Sequence, residues 1–502
     1  MAVETETKYE ADAAAVLPDL HSLPMVRDIS GPDLERLEAV YYDTADLRLL
    51  RSGITLRRRK GGHDEGWHLK LPAGPSSREE IRLPLGRAGR RVPTELANLV
   101  KVRSRGDLLA PVAAITTLRQ TVTLLGSDGE SLAEVADDHV QATATVGITA
   151  GPSHWREVEV ELTAGGRDLL EAADSLLRRA GMQRSGRSAK LERVLGSQLP
   201  EPPIPWSTGT TADEVVMAYM REHADRLMAL DPMVRRREPD AVHKMRVASR
   251  RLRSTLRAFR TVTGTSDSEH IANELKWLGT VLGDERDAEV QAVRLQAHVQ
   301  ATDIDVLLGP VQARIQAHVA KASATSHAAV TAALNSERYW ALLDALDALM
   351  ASPQAGPEAS QPASQVVPSA VGRCYRKSRR RMQAAALQPP GSARDAALHE
   401  ARKAAKRARY AAEAAIPVGG NQARQLAGQL QNVQSVLGDH HDTVIGRQLS
   451  RRLGIAAQLA GESAFTYGVF YERDVCSGAR TDAQAQQAWQ HASRRRYRSW
   501  LS

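Results

Sequence analysis

Glu4, Glu6 and Lys8 alternate at the start of the chain. On a β-strand, side chains point to opposite faces in turn, so these three share one face at about 7 Å intervals. Two carboxylates and an ammonium so arranged suit a hard divalent cation, Mg²⁺ or Mn²⁺, held beside a phosphate. Alone, such a pattern is usually a solvated strand face. The segments that follow change its meaning.

Those segments alternate too. Arg57 and Arg59 share a face, as do His68 and Lys70, then Arg78, Glu80 and Arg82, while Arg119 lies opposite Leu118 and Val122. Glu157, Glu159 and Glu161 face away from Val158, Val160 and Leu162, and Lys190 follows a helical stretch. Each predicted strand thus has one apolar and one ionic face, with basic and acidic charges segregated by strand. Three alternating glutamates repel one another unless a cation sits among them. A closed sheet would turn these faces into an ion-lined lumen. Burial there costs several kcal/mol per unpaired ion, so a ligand and metals must complete the site. Glu134 and Asp138, near a turn, are weaker candidates.

The elements that position these residues sit in a chain of 502 residues, too long for a single core. The net charge of +8 implies an anionic partner. Two distant cysteines, Cys374 and Cys476, fit a reducing cytosol and offer no metal-ligand spacing. No apolar run approaches the roughly 18 residues of a membrane span, and the N-terminus is not a signal peptide. Aromatic residues are only 4%, which argues against base-stacking platforms and a specific nucleic-acid partner. The β region is expected over 1–197, a proline-rich linker over 198–206, and a helical region over 207–502.

The β region resembles the CYTH family, the triphosphate tunnel metalloenzymes. The resemblance rests on Glu4-x-Glu6-x-Lys8, Arg57 and Arg59, Lys70, Arg82, Arg119, the Glu157–Glu161 strand and Lys190, in that order. It implies an antiparallel tunnel of eight strands that binds a triphosphate with divalent metal. By the same resemblance Lys8, Arg57, Arg59, Lys70, Arg82, Arg119 and Lys190 would hold phosphate oxygens. Glu4, Glu6 and members of Glu157, Glu159 and Glu161 would bind metal, which makes Glu4, Glu6 and Lys8 the catalytic candidates.

The helical region repeats itself. His243, Arg246, Arg250, Arg251 and Arg253 recur as His399, Arg402, Lys406, Arg407 and Arg409. Leu282-Gly283-Asp284-x-x-Asp287 recurs as Leu437-Gly438-Asp439-x-x-Asp442. The copies are expected over about 207–350 and 369–502, joined by a low-complexity segment. On a helix, His243, Arg246, Arg250, Arg253 and Arg257 fall within roughly an 80° stripe. The second copy matches until Glu413 replaces the last arginine, and Arg376 precedes it among further basic residues. Solvated faces usually interleave glutamate with such cations. A stripe without it implies a polyanion along it. This half resembles the CHAD domain, which implies two pseudo-symmetric helical bundles with a basic surface that binds inorganic polyphosphate.

The expected activity is metal-dependent hydrolysis of inorganic triphosphate, with the helical region binding polyphosphate. Alternatives are a non-catalytic polyphosphate-binding protein, or an enzyme hydrolysing or cyclising an organic triphosphate. A cytoplasmic location, with association to polyphosphate granules, accompanies that reading. The sequence leaves the oligomeric state open.

Overall fold

The computed structural model describes residues 2–74, 77–86, 89–146, 152–187, 189–199, 210–264, 266–351 and 356–501, with the side chains of 2–4 and 266 left out. Most of the expected linker therefore lies outside the described residues. The chain divides into two compact units, Met1–Pro202 and Pro203–Ser502.

Among its described residues, the first unit is an antiparallel sheet of ten strands. They are β1 (Ala2–Glu4), β2 (Glu6–Ala11), β3 (Asp28–Asp43), β4 (Thr55–Lys60) and β5 (Gly66–Pro72). Then come β6 (Arg78–Leu83), β7 (Ala110–Leu125), β8 (Ser131–Ala144), β9 (Ser153–Leu162) and β10 (Gln183–Arg184). Their hydrogen-bonded order is β1-β6-β5-β4-β3-β7-β8-β9-β2-β10.

This corrects two expectations. Among the described residues the strands number ten, not eight, and the ladder has two ends rather than closing by hydrogen bonds. The run Glu4–Lys8 is also not one strand. It breaks at Thr5, so β1 pairs with β6 while β2 pairs with β9. The covalent step through Thr5 thereby links opposite regions of the sheet.

The ionic residues surround a lumen that Leu37, Ala39 and Ile115 also line, and the opposite, apolar faces pack outward. Trp67, Leu69 and Leu71 pack with Leu96, Leu99 and Val100 of α2 (Thr94–Ser104), which follows the short α1 (Arg48–Arg51). Leu169, Ala173 and Leu177 of α3 (Arg167–Arg179) cover Val158 and Val160 in a second cluster. Leu191 and Leu195 of α4 (Lys190–Leu195) are buried beside Ile115 and Val140, which share the lumen faces of β7 and β8 with Arg119 and Asp138. Those two leucines anchor α4 so that its first residue, Lys190, enters the lumen. Alternation sets most of this division of faces.

The second unit is helical. Its first copy comprises α5 (Ala212–Arg235), α6 (Ala241–Ala258), α7 (Arg260–Thr263), α8 (Ser266–Gln300), α9 (Val311–Leu334) and α10 (Glu337–Ala351). Its second comprises α11 (Ala363–Ala386), α12 (Ser392–Ala414), α13 (Ile416–Leu459, interrupted at Gly420) and α14 (Phe465–Ala492). The basic stripes lie on α6 and α12, which pack on α8 and α13 and also meet each other. Among the described residues, no helix is long and apolar enough to cross a membrane.

Candidate active site and cationic groove

Strand register brings the lumen residues into transverse rows. Across β8, β9 and β2, Glu134 faces Glu161 and Glu161 faces Glu6. One step along, Glu159 faces Lys8, and the next row holds Asp138 opposite Glu157. On β7, Arg119 is the register partner of Asp138. These side chains, save Asp138 and Glu157, line one cavity of about 710 Å³ together with Arg57, Arg59, Lys70 and Arg82.

Acids and bases in this lumen hold one another. Arg119 donates to both Asp138 oxygens at 2.7 Å and to Glu159 Oε2 at 2.7 Å. Lys190 Nζ lies 2.8 Å from Asp138, 2.6 Å from Glu157 and 2.9 Å from Glu159. Lys8 reaches Glu159 at 2.5 Å and Glu6 at 3.2 Å. On the other wall, Arg82 Nε donates to Glu80 at 2.5 Å, and Lys70 lies 3.9 Å from Glu80. Arg59 pairs with Asp64 in the β4–β5 turn, and His68 spans Glu80 and the Asp64 carbonyl at 2.9 Å each.

The ionisation states follow from these contacts. Burial alone would raise Glu159, but Lys190, Lys8 and Arg119 outweigh it and hold this carboxyl well below the usual range. Asp138 is likewise held down against burial, by Lys190 and Arg119. Burial opposes the charge on Lys190, yet Asp138, Glu159 and Glu157 raise its pKa well above the ordinary value. Arg59 goes the other way. Burial, then the Arg57 and Arg119 guanidiniums, push it down to about 9. Arg57 is instead raised against burial, by Tyr41 and Glu80.

The residues also fit a metal. Oxygens of Asp138, Glu157 and Glu159 lie within 4.8 Å of one another. An all-carboxylate set is the chemistry of a hard divalent cation. The Lys190 ammonium occupies this acidic cluster as an internal cation.

The second unit has a groove of about 630 Å³, shared by both copies. His243, Arg246, Arg250 and Arg253 of α6 line it opposite His399, Arg402 and Lys406 of α12. Gly283 and Gly438 have one structural role. A Cβ on Gly283 would meet the Arg246 guanidinium at 3.2 Å, and one on Gly438 would meet Arg402 at 3.1 Å. Each arginine lies across the glycine of its own repeat, with Asp287 3.6 Å from Arg246. Burial lowers Lys406 well below its ordinary value, and Arg402, Arg250 and Arg246 add to the effect.

A CYTH domain model matches residues 2–194, and a CHAD domain model matches residues 218–451. The chain belongs to the CYTH–CHAD proteins. CYTH domains are metal-dependent triphosphatases or cyclases, so triphosphate chemistry is the indicated function of the tunnel. The uncharacterized proteins MT2285 and Rv2226 of Mycobacterium tuberculosis are each 38% identical, over 97% of this chain and 95% of their own length. Similar solved structures include PptA from Streptomyces chartreusis, at 21% identity and TM-score 0.47, covering 56% of this chain and 99% of that one. The CHAD domain from the plant Ricinus communis aligns at 25% identity and TM-score 0.41, covering 60% of this chain and 97% of that one.

The CYTH domain brings together Glu6, Lys8, Arg57, Arg59, Lys70, Arg82, Arg119, Glu159, Glu161 and Lys190. Glu157 joins through Lys190. Glu4 lies on β1, and its side chain is outside the described residues. Sequence reasoning missed Asp64 and the buried Glu80, although Glu80 shares the Arg78–Arg82 face, and it underrated Glu134 and Asp138. In the CHAD domain two expected residues stand apart. Arg376 is exposed on α11 and lines neither the groove nor the adjoining cavity. Arg409 does not line the groove, and donates to Glu413, at 2.7 Å, and to Gln434 at its edge.

Proposed function

We propose that the CYTH domain hydrolyses inorganic triphosphate with a divalent metal, and that the CHAD domain binds inorganic polyphosphate. The convergence of eight cationic side chains on one lumen, which the carboxylate cluster of Asp138, Glu157 and Glu159 meets through Glu159, is the supporting observation. Phosphoryl transfer needs positioned positive charge and an in-line nucleophile more than covalent help from the protein. Arg57, Arg59 and Arg119 donate to phosphate oxygens and hold the leaving pyrophosphate. Lys8 and Lys190 reach the same space and add ammonium donors. Asp138, Glu157 and Glu159 would hold the metal, which supplies charge neutralisation and activates water. Glu6, in the row with Glu161 and Glu134, accepts the proton of the attacking water as the bridging P–O bond breaks.

For the CHAD domain, the facing stripes of α6 and α12 support an extended polyanion between the repeats. Phosphate release from inorganic triphosphate, ATP and long-chain polyphosphate, with Mg²⁺, Mn²⁺ or EDTA, tests both assignments. Metal-dependent release from triphosphate is expected. Metal-dependent binding without release would instead make the protein a non-catalytic polyphosphate binder.

A further inference from the structure

The stripes of α6 and α12 align residue by residue, so each position in one has a counterpart in the other. Arg251 corresponds to Arg407, Arg253 to Arg409, and Arg257 to Glu413. One corner of the α6–α12 contact is closed by an internal anion. Arg251 Nε donates to Glu413 Oε2 at 2.9 Å, Arg409 Nε donates to Oε1 at 2.7 Å, and the Tyr219 hydroxyl lies 3.1 Å from Oε2.

Exchanging the copies gives the sister corner: Arg407, Arg253 and Arg257. All three line a single cavity of about 380 Å³, which shares Arg250, Arg253, Lys403 and Lys406 with the groove. The sister corner thus keeps both arginines, but a third arginine stands where the first corner has its carboxylate. Lys377 and Arg381 of α11 face the same cavity. Its one lining carboxylate among the described residues, Glu400, pairs with Lys403. Among the described residues, Arg253, Arg257 and Arg407 have no acidic partner. Burial and then Arg257, Arg250 and Arg407 push Arg253 down to about 10, the sign of a site lacking a counter-anion.

We propose that Arg253, Arg257 and Arg407 form an oxyanion subsite that takes one phosphoryl group of a phosphate chain where the sister corner holds the Glu413 carboxylate. A carboxylate satisfies two guanidiniums. A phosphoryl group has more oxygens and more charge, and so accommodates the third. The groove is consequently polar in direction: Glu413 seals one corner, and the other admits the ligand. This inference rests on the polyphosphate reading of the groove for its ligand.

Arg257→Glu in the full chain rebuilds the sealed corner and tests the subsite. Its ligand-free melting temperature should equal or exceed that of the wild type, because Arg253 and Arg407 gain a partner. Its affinity for long-chain polyphosphate should fall about tenfold, equivalent to about 1.4 kcal/mol. Arg257→Lys should stay within about threefold of wild type and Arg257→Ala should weaken binding severalfold, so a misfolded Arg257→Glu would not decide the matter. Wild-type affinity in both Arg257→Glu and Arg257→Ala overturns the subsite and leaves the groove reading standing. Pyrophosphate distinguishes the other failure, since the tunnel is identical in both proteins. If wild type ignores long-chain polyphosphate, yet pyrophosphate raises its melting temperature more than that of Arg257→Glu, the subsite stands and the polyphosphate reading falls. No difference between the variants with either ligand overturns the subsite.

Discussion

Lys8 and Lys190, from opposite ends of the CYTH domain, converge on the same Glu159 oxygen, at 2.5 and 2.9 Å. Two ammoniums side by side repel, so the contact holds only because Glu159 and Asp138 lie between and beside them. Without ligand, the tunnel is neutralised from within.

Replacing Glu159 therefore removes the anion that several buried cations share. Glu159→Gln should lower stability by about 3 kcal/mol, the usual cost of breaking a buried pair. Urea denaturation at neutral pH measures it. A loss below about 1 kcal/mol would mean that Lys8 and Lys190 find other partners.

The same network sets a pH window. Glu159 and Asp138 are held below their ordinary values of 4.5 and 3.8. Their contribution to stability is present above those values and lost as pH falls through the depressed folded values. Lys190 is raised above its ordinary 10.5, so its contribution is full below 10.5 and lost as pH rises through the elevated value. Melting temperature against pH should show a plateau between these limits. In Lys190→Met both the alkaline and the acid fall should shrink, because Asp138 and Glu159 lose the cation that does most to depress them.

Lys190 also competes with any cation for Asp138, Glu157 and Glu159. Lys190→Met should bind Mn²⁺ severalfold more tightly than wild type by calorimetry without substrate, yet lose about a hundredfold in kcat/KM for triphosphate. Weaker Mn²⁺ binding in the variant would place the metal elsewhere in the lumen.

Gly438 permits Arg402 to lie flat against α13. Gly438→Ala adds helix propensity worth about 1 kcal/mol while pressing a methyl on that guanidinium. Melting temperature should hold or rise while polyphosphate affinity falls two- to fivefold. Unchanged affinity would remove Arg402 from the groove's binding surface.

Much of this was legible in the sequence because strand alternation is local. Arg57, Arg59, Arg119 and Glu159 could be placed on one face each from their own neighbours. Which residues then meet depends on register between distant strands, so the pairing of Arg119 with Asp138 and the Glu134–Glu161–Glu6 row were not legible. The break at Thr5 was hidden for the same reason, since alternation continues through a change of hydrogen-bonding partner. A helix stripe likewise gives angle about its own axis, not what lies opposite. Arg409 sits on the expected stripe but meets Glu413, whose substitution in the repeat was the available sign.

The most direct measurement pairs two readouts on one variant, Glu6→Ala, in the full chain. The account predicts that metal-dependent phosphate release from triphosphate falls at least a hundredfold, while long-chain polyphosphate binds within about twofold of wild type. Equal loss of both in a folded protein, or hydrolysis at the wild-type rate, would contradict it.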